Sequence, residues 1–245
     1  MSLIKTEAIV LKHINYLEAD RILTLFSKDL GKIHAIAKGS RKPKSRFLMA
    51  SEVFVLADYM LYEGRNLYTV TQSDIKCTFF ELRQNIESLS YASYAANLCD
   101  LVIQDGEPNV RVYYLLLKTL YLLSLPAADA SAAALMFAIK LMDFIGYRPL
   151  LQQCVDCGKN LLKESKFYFS PEKGGTVCAD CAVVSDDAIA VNRGLINTIL
   201  HILDMKANAM HRLKISDAMK KELWHVLDTY IAARIDKNIS PMRLK

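Results

Sequence analysis

Four cysteines in two short pairs are the residues of this sequence with the most sharply defined chemistry. Two residues separate the cysteines of each pair, and twenty residues separate the pairs. This spacing suits a single tetrahedral zinc ion, because each pair can direct two thiolates at the same ion. Four thiolates leave no position for water, so we predict a structural Zn2+, about one per chain, held by Cys154, Cys157, Cys178 and Cys181. The alternative is two pairs of redox or structural cysteines without a metal.

The residues around the cysteine pairs fit this prediction. Gly158 follows the first pair directly and can relax the turn, so that backbone N–H groups approach the sulfur atoms. Four thiolates on one dication leave about two negative charges. Four lysines are near enough in sequence to compensate for that charge: Lys159, Lys163, Lys166 and Lys173.

A second candidate for chemistry is a basic loop between residues 38 and 46. It carries five cations and no acidic residue, namely Lys38, Arg41, Lys42, Lys44 and Arg46. Gly39 and Pro43 interrupt regular structure there, so the cations lie on a loop that follows a strand. A cationic loop on a rigid strand suits a polyanion, most commonly nucleic acid, and Phe47 beside it is the best candidate for stacking on a base. A loop that only aids solubility is the alternative.

The elements that must position this loop have the apolar alternation of short strands. The pattern predicts five strands in about 75 residues, over 4–14, 21–27, 32–38, 52–62 and 67–73. Five short strands predict a small closed barrel. The strand count alone leaves both an OB-fold and an SH3-like barrel open.

From about residue 79 the period of the apolar residues becomes helical. The predicted helical segments are 89–103, 110–125, 130–145, 193–206 and 216–235. Because the segment 110–125 is apolar almost all round, we predict that Tyr113, Tyr114 and Tyr121 lie in the core. The fold class is therefore α+β: an N-terminal small β-barrel at 1–80, then an all-helical domain at 81–245 with an inserted zinc-binding hairpin of four cysteines at about 150–185.

Composition and charge exclude several classes of protein. The formal net charge of +5 is concentrated in residues 1–80, which hold twelve Lys and Arg against eight Asp and Glu. No apolar run approaches the roughly 18 residues of a membrane span, and Lys5 and Glu7 stand where a secretion signal would have its apolar core. The chain has no glycine loop for nucleotide phosphates, and its five histidines share no spaced motif with carboxylates or thiols, so we predict no enzymatic activity.

Several strings of the sequence form a long and unusual combination. They are KTEAIVL at 5–11, EADRILTLF at 18–26, GK at 31–32, AKGSRKPKSR at 37–46 and YEGR at 62–65. These strings resemble the RecO family of bacterial recombination mediators, and the cysteine motif extends the resemblance over most of the chain. The resemblance implies that the barrel is an OB-fold and that the protein binds DNA. Arg21 and Lys32 lie within these strings and join the five loop cations and Phe47 as DNA-binding candidates.

The family resemblance also implies a function and partners. The function is DNA repair and homologous recombination: binding single-stranded DNA, annealing complementary strands and helping to load a recombinase onto strands coated by single-strand-binding protein. The implied partners are single-stranded and double-stranded DNA, RecR, the C-terminal tail of single-strand-binding protein and RecF, in the bacterial cytoplasm at the nucleoid. Candidates for contact with that acidic tail are Lys206, Arg212, Lys214, Lys220 and Lys221.

Two other classes of function compete with a DNA-binding mediator. A hydrolase or nucleotidyl-transfer enzyme with an accessory zinc ribbon would need clustered carboxylates or a phosphate loop, and the sequence offers neither. A non-catalytic protein–protein adaptor would use the basic loop to bind an acidic partner. Salt-sensitive binding to oligonucleotides with little base preference would separate the mediator from the adaptor.

Overall fold

A computed structural model describes residues 2–161, 164, 166–206, 209–210 and 213–235 of the chain. Lys163 and Arg212, named above as candidate cations, lie outside these residues. The described chain divides into two compact units, Met1–Ala127 and Ala128–Lys245. Among the described residues, no helix combines the length and the apolar character needed to cross a bilayer.

The first unit is built on a closed barrel of five strands. These are β1 (Leu3–Tyr16), β2 (Asp20–Ser27), β3 (Gly31–Ala37), β4 (Leu56–Tyr62) and β5 (Tyr68–Cys77). Around the barrel they follow the order β1-β2-β3-β5-β4, with β3 and β5 parallel and the other neighbours antiparallel. This order is that of an OB-fold and confirms the predicted small barrel.

The barrel interior follows from the alternation that predicts the strands. In β3, Ile33, Ala35 and Ala37 are buried in the core, and the residues between them face outward. The fourth strand begins at Leu56 rather than at residue 52, because a 3₁₀ turn at Met49–Ser51 and a left-handed Phe54 (φ 71°) bring the chain into the strand.

Two helices belong to the same unit as the barrel. They are α1 (Ile86–Val102) and α2 (Val110–Leu123), and each begins at an asparagine whose side-chain oxygen accepts hydrogen bonds from the first turn. The Tyr113 ring of α2 meets the Phe26 ring of β2 edge-on at 5.6 Å, and its hydroxyl donates to Glu7 Oε1 at 3.0 Å. The helices therefore cover part of the outer barrel wall.

Gly31 marks a close approach between β3 and the loop that joins α1 to α2. It has φ +70°, and a Cβ atom there would lie 2.3 Å from the carbonyl oxygen of Glu107. We expect Gly31→Ala to lower the free energy of unfolding by at least about 2 kcal/mol, because the loop must move and the left-handed backbone is strained. Denaturant unfolding followed by circular dichroism would measure this.

Gly106→Ala is the matched control for that substitution. Gly106 also has a left-handed backbone, at φ +75°, but a Cβ there would meet no heavy atom within 4 Å. The difference between the free energies of unfolding of the two variants separates the effect of the contact with Glu107 from the cost of the left-handed backbone. Equal stability of the two variants would contradict the prediction.

The second unit combines helices with a small sheet. Its helices are α3 (Ala130–Phe144), α4 (Ala179–Ala182), α5 (Arg193–Asp204) and α6 (Asp217–Ile235). The strands β6 (Phe167–Ser170), β7 (Gly175–Cys178) and β8 (Ile189–Val191) form a sheet with the order β7-β6-β8. The predicted fold class, a barrel followed by a helical region with a cysteine-bearing hairpin, is confirmed. The predicted domain bounds at residue 80 stay a prediction.

Candidate metal centre and nucleic-acid interface

The four predicted zinc ligands come together in the second unit. The sulfur atoms of Cys154, Cys157, Cys178 and Cys181 all lie within 4.8 Å of one another. The Cys157 and Cys178 sulfurs are 3.8 Å apart. A tetrahedral ion with bonds of about 2.3 Å requires sulfur separations of about 3.8 Å, so the cluster has the dimensions and donors of a four-thiolate metal site.

Two different backbone structures present the two cysteine pairs. The first pair lies in a tight turn, in which the Gly158 N–H donates to the Cys154 carbonyl at 2.9 Å while Gly158 takes φ +72°. The Cys154 N–H donates to the Lys159 carbonyl at 2.8 Å and closes that turn. In the second pair, Cys178 ends β7 and Cys181 lies in the single turn of α4. Both structures hold the sulfur atoms without depending on long flexible side chains.

Backbone hydrogen bonds tie the first cysteine pair, and the segment that precedes it, to β7. The Val155 N–H donates to the Thr176 carbonyl at 2.9 Å, and the Thr176 N–H donates to the Leu150 carbonyl at 2.8 Å. These two bonds join β7 to the segment that precedes the first cysteine pair and to the pair itself. The backbone therefore brings the two cysteine pairs together.

Two of the lysines predicted to compensate for the thiolates have carboxylate partners. Lys173 Nζ lies 2.7 Å from the Asp156 carboxylate, and Lys159 Nζ lies 3.0 Å from the Glu164 carboxylate. Their charges are therefore already balanced in part by these acidic side chains, and they do less to neutralise the cluster than their position in the sequence predicts.

The electrostatics of the cluster differ from one cysteine to the next. Burial opposes the thiolate of Cys154, but the N–H groups of Cys157, Cys178 and Asp156 outweigh it and lower the Cys154 pKa to about 6. The pKa of Cys181 is raised, chiefly by the neighbouring Cys178 sulfur and then by burial. The Cys154 thiolate is thus favoured and the Cys181 thiolate is opposed by a neighbouring sulfur, so a bound cation would be needed to hold all four cysteines as thiolates.

The basic loop forms one wall of an open groove on the barrel. The groove has a volume of about 560 Å³ and is lined by Lys38, Gly39, Lys42, Lys44, Ser45, Arg46, Phe47, Thr69, Val70 and Thr71. The loop supplies four cations, and β5 supplies the opposite wall with two threonines. No local pattern in the sequence indicates the β5 wall, because the parallel pairing of β3 with β5 brings two distant segments together.

The loop is held in place by the turn that joins β1 to β2. Gly39, with φ +65°, donates its N–H to Asp20 Oδ1 at 2.7 Å, and the Arg41 N–H donates to the Ala19 carbonyl at 2.9 Å. The Arg41 guanidinium donates to the Glu18 carbonyl at 3.0 Å, so it lies on this turn and outside the groove lining. These contacts fix the path of the loop while leaving its lysine ammonium groups at the surface.

The cations of the loop are available for a ligand. Lys38, Arg41, Lys42, Lys44 and Arg46 are all exposed. In the described part of the chain, none of the five forms an ion pair with a carboxylate. Arg46 donates to the Thr71 carbonyl at 2.8 Å, which leaves its charge uncompensated. A row of uncompensated cations along an open groove suits a flexible chain of phosphates.

The other predicted DNA-binding residues lie away from the groove lining. Arg21 is 14% exposed and donates to Glu52 Oε1 at 2.7 Å and to Ser51 Oγ at 2.8 Å. Lys32 donates to the Asp100 carbonyl at 2.7 Å and lies 3.3 Å from the Asp105 carboxylate. Contact of either residue with DNA stays a prediction, and it would require these pairs to open.

Phe47 lines the groove from within the barrel core. Its side chain is only 6% exposed, and the Arg46 guanidinium lies 4.7 Å from the centre of its ring. A buried ring has no free face for a base, so the stacking predicted for Phe47 would require the ring to leave the core. In contrast, Tyr114 and Tyr121, predicted to be core residues, are 40% and 60% exposed.

Comparison with known proteins covers nearly the whole chain. The family described as recombination protein O N terminal matches residues 1–79, and recombination protein O C terminal matches residues 83–241. A DNA repair protein RecO from Alkaliphilus metalliredigens is 35% identical over 235 residues, which cover 96% of this chain and 95% of the relative.

Two further relatives are also DNA repair proteins RecO. The protein from Acetivibrio thermocellus is 32% identical over 242 residues, covering 99% of this chain and 96% of the relative. The protein from Desulfitobacterium hafniense is 34% identical over 242 residues, which cover 98% of this chain and 88% of the relative. These matches confirm the resemblance seen in the N-terminal strings. They also confirm the prediction that the protein is not an enzyme, because RecO proteins are non-catalytic recombination mediators. The chain belongs to the RecO family of DNA repair proteins.

Proposed function

We propose that this protein binds single-stranded DNA, anneals complementary strands and helps to load a recombinase onto strands coated by single-strand-binding protein. The observation that carries the proposal is the open groove beside the basic loop. Four cations without carboxylate partners line this groove. The proposed phosphate contacts are Lys38, Arg41, Lys42, Lys44 and Arg46, with Arg21, Lys32 and Phe47 as residues that would join them after rearrangement.

Annealing follows from the chemistry of such a groove. Two complementary strands repel each other through their phosphates, and bound cations reduce that repulsion. Contacts with phosphate carry no base information, so the base edges remain free to pair. The reaction needs no nucleotide, in agreement with the lack of a phosphate-binding glycine loop in the sequence.

We further propose that the metal is zinc and that it is structural. Zinc accepts four thiolates at the observed separations, and a site filled by four protein ligands has no position for a substrate. When bound, the ion would supply neutralisation of the thiolates and a coordinate link between the turn at Cys154 and the end of β7. On this proposal, residues 1–80 are the nucleic-acid-binding domain and residues 81–245 the helical domain with the zinc hairpin.

The proposed partners come from membership of the family. They are RecR, RecF, single-stranded and double-stranded DNA, and the acidic C-terminal tail of single-strand-binding protein, at the nucleoid of the bacterial cytoplasm. Among the lysines predicted to meet that tail, Lys220 lies 2.8 Å from both Asp129 and Asp217. Lys206, Lys214 and Lys221 are exposed and are the better candidates.

The direct test is strand annealing without ATP. We expect the metal-loaded protein to accelerate duplex formation between complementary oligonucleotides by at least about tenfold at low salt, because charge neutralisation raises the encounter rate of the strands. A fluorophore and quencher on the two strands would follow the reaction, with non-complementary strands as the control. Annealing at the spontaneous rate in low salt would rule out the proposed function.

A further inference from the structure

The outer wall of the barrel presents an apolar patch made by three neighbouring strands. Ile14 of β1 is paired with Ile22 of β2, and Ile22 is paired with Ile36 of β3. All three point away from the barrel core, because the alternate residues of β2 and β3 fill it. Ile14 is 57% exposed, and the other two are half-buried. The helix α2 covers the barrel wall near Phe26.

The tip of the β1–β2 hairpin adds two further exposed apolar side chains beside this patch. Tyr16 is on the same face as Ile14, two residues further along β1, and is 42% exposed. Leu17 is 72% exposed and has φ +50°, a left-handed conformation that is unfavourable for leucine. Strained backbone conformations of this kind cluster at functional sites.

The patch and the basic groove form one continuous surface. Ile36 is paired with Thr69, which lines the groove, and Lys38, another lining residue, follows directly after the end of β3. The hairpin tip is bonded to the loop through the Arg41 guanidinium and through Asp20. Phosphates in the groove would therefore place the attached bases next to the patch.

We propose that Tyr16 is the base-stacking residue of this protein, on a floor formed by Ile14, Ile22 and Ile36. The proposal deepens the proposed function and rests on it. Stacking on a tyrosine ring is tolerant of sequence, because every base has a flat face, and it leaves the base edges free for annealing. It also favours single strands over duplex DNA, whose bases are already stacked on one another.

The charges around the tyrosine fix the side on which the phosphates run. Glu18 is exposed at the hairpin tip and repels phosphate, whereas the Asp20 carboxylate accepts the Gly39 N–H. Four of the five loop cations line the groove on the β3–β5 side of the patch, whereas the fifth, Arg41, lies on the hairpin turn. The phosphates therefore follow the groove, and the bases turn away from it towards Tyr16.

The test separates contacts with bases from contacts with phosphates. Two oligonucleotides of equal length are compared, one with normal bases and one with abasic sugars throughout, over a series of salt concentrations. We expect the native protein to bind the normal strand about tenfold more tightly. We expect Tyr16→Ala to lose that preference while its affinity for the abasic strand and its salt slope are unchanged, and Tyr16→Phe to keep it.

Two further variants test the stacking role of Tyr16 and the contribution of the isoleucine floor. Tyr121→Ala removes another exposed tyrosine of the same unit, on α2, and is expected to bind as the native protein does. Ile14→Thr keeps a strand-forming residue, lowers the apolar area of the floor, and is expected to weaken binding of the normal strand alone. Native-like base preference in folded Tyr16→Ala, or in Ile14→Thr if the first variant does not fold, would overturn the stacking role. In that case the proposed function would stand. Failure of the native protein to bind either strand would instead overturn the proposed function.

Discussion

The variant Cys178→Ser is expected to lose its metal and to destabilise residues 128–245 by several kcal/mol, whereas residues 1–127 remain folded. Structural zinc contributes on the order of 10 kcal/mol or more to the folding of isolated finger peptides, and a larger apolar core reduces the share that is observed. Cys178 is 2% exposed and ends β7, so its loss removes a ligand from the buried side of the cluster. Without the ion, the remaining thiols no longer hold the turn at Cys154 to the hairpin.

The sequence contains a convenient probe for this experiment. Trp224 is the only tryptophan of the chain, is 4% exposed in α6, and donates its indole N–H to Ser131 Oγ at 2.9 Å. Its fluorescence therefore reports unfolding of the second unit. Binding of single-stranded DNA reports on the first unit. Cys77→Ser, which changes a half-buried cysteine of β5 outside the cluster, is the control.

Three measurements decide the outcome of the cysteine experiment. Elemental analysis of the native protein, purified without chelators, is expected to give about one zinc per chain. The tryptophan transition of Cys178→Ser is expected at lower denaturant concentration than that of Cys77→Ser. Native protein without zinc, or a serine variant with an unshifted tryptophan transition, would contradict a structural zinc site.

The features that can be predicted from the sequence are those that depend on residues close together in the chain. Alternating residues such as Ile33, Ala35 and Ala37 predict the strands of the barrel, because a strand places every second side chain on one face. The cysteine spacing predicts the cluster for a similar reason: two residues between ligands suit a tight turn or one turn of helix. The ends of strands are predicted less accurately. For β5 the pattern predicts an end at residue 73, although the strand continues to Cys77.

The features that could not be predicted depend on partners distant in sequence. Lys32 is tied to Asp100, 68 residues away, and no local pattern indicates that pair. The helix α2 is apolar almost all round, so periodicity could not tell that Tyr113 faces the barrel while Tyr121 faces outward. Phe47 lies beside the basic loop in sequence, but its ring is buried in the barrel core. The distinction between an exposed and a buried aromatic residue therefore required the fold.

The basic loop provides the prediction with the largest expected effect on binding. We expect the triple substitution of Lys38, Lys42 and Lys44 by Glu to weaken binding of single-stranded DNA at least about a hundredfold, because it removes three phosphate contacts and adds repulsion. With five contacts, the log–log dependence of affinity on salt has a slope of about −3.5, at about −0.7 per contact. The two remaining arginines give a slope of about −1.4.

The matched control makes the same change in charge elsewhere. Lys166, Lys214 and Lys221 are exposed lysines of the second unit, and their replacement by Glu lowers the net charge by the same amount. Binding that depends on net charge alone would fall equally in both triple variants. Binding through the groove falls only in the loop variant, and equally for every base sequence, because phosphate contacts do not distinguish bases. An unchanged affinity or salt slope in the loop variant would mean that the loop is only a solvated surface, since its lysines could then contact no phosphate.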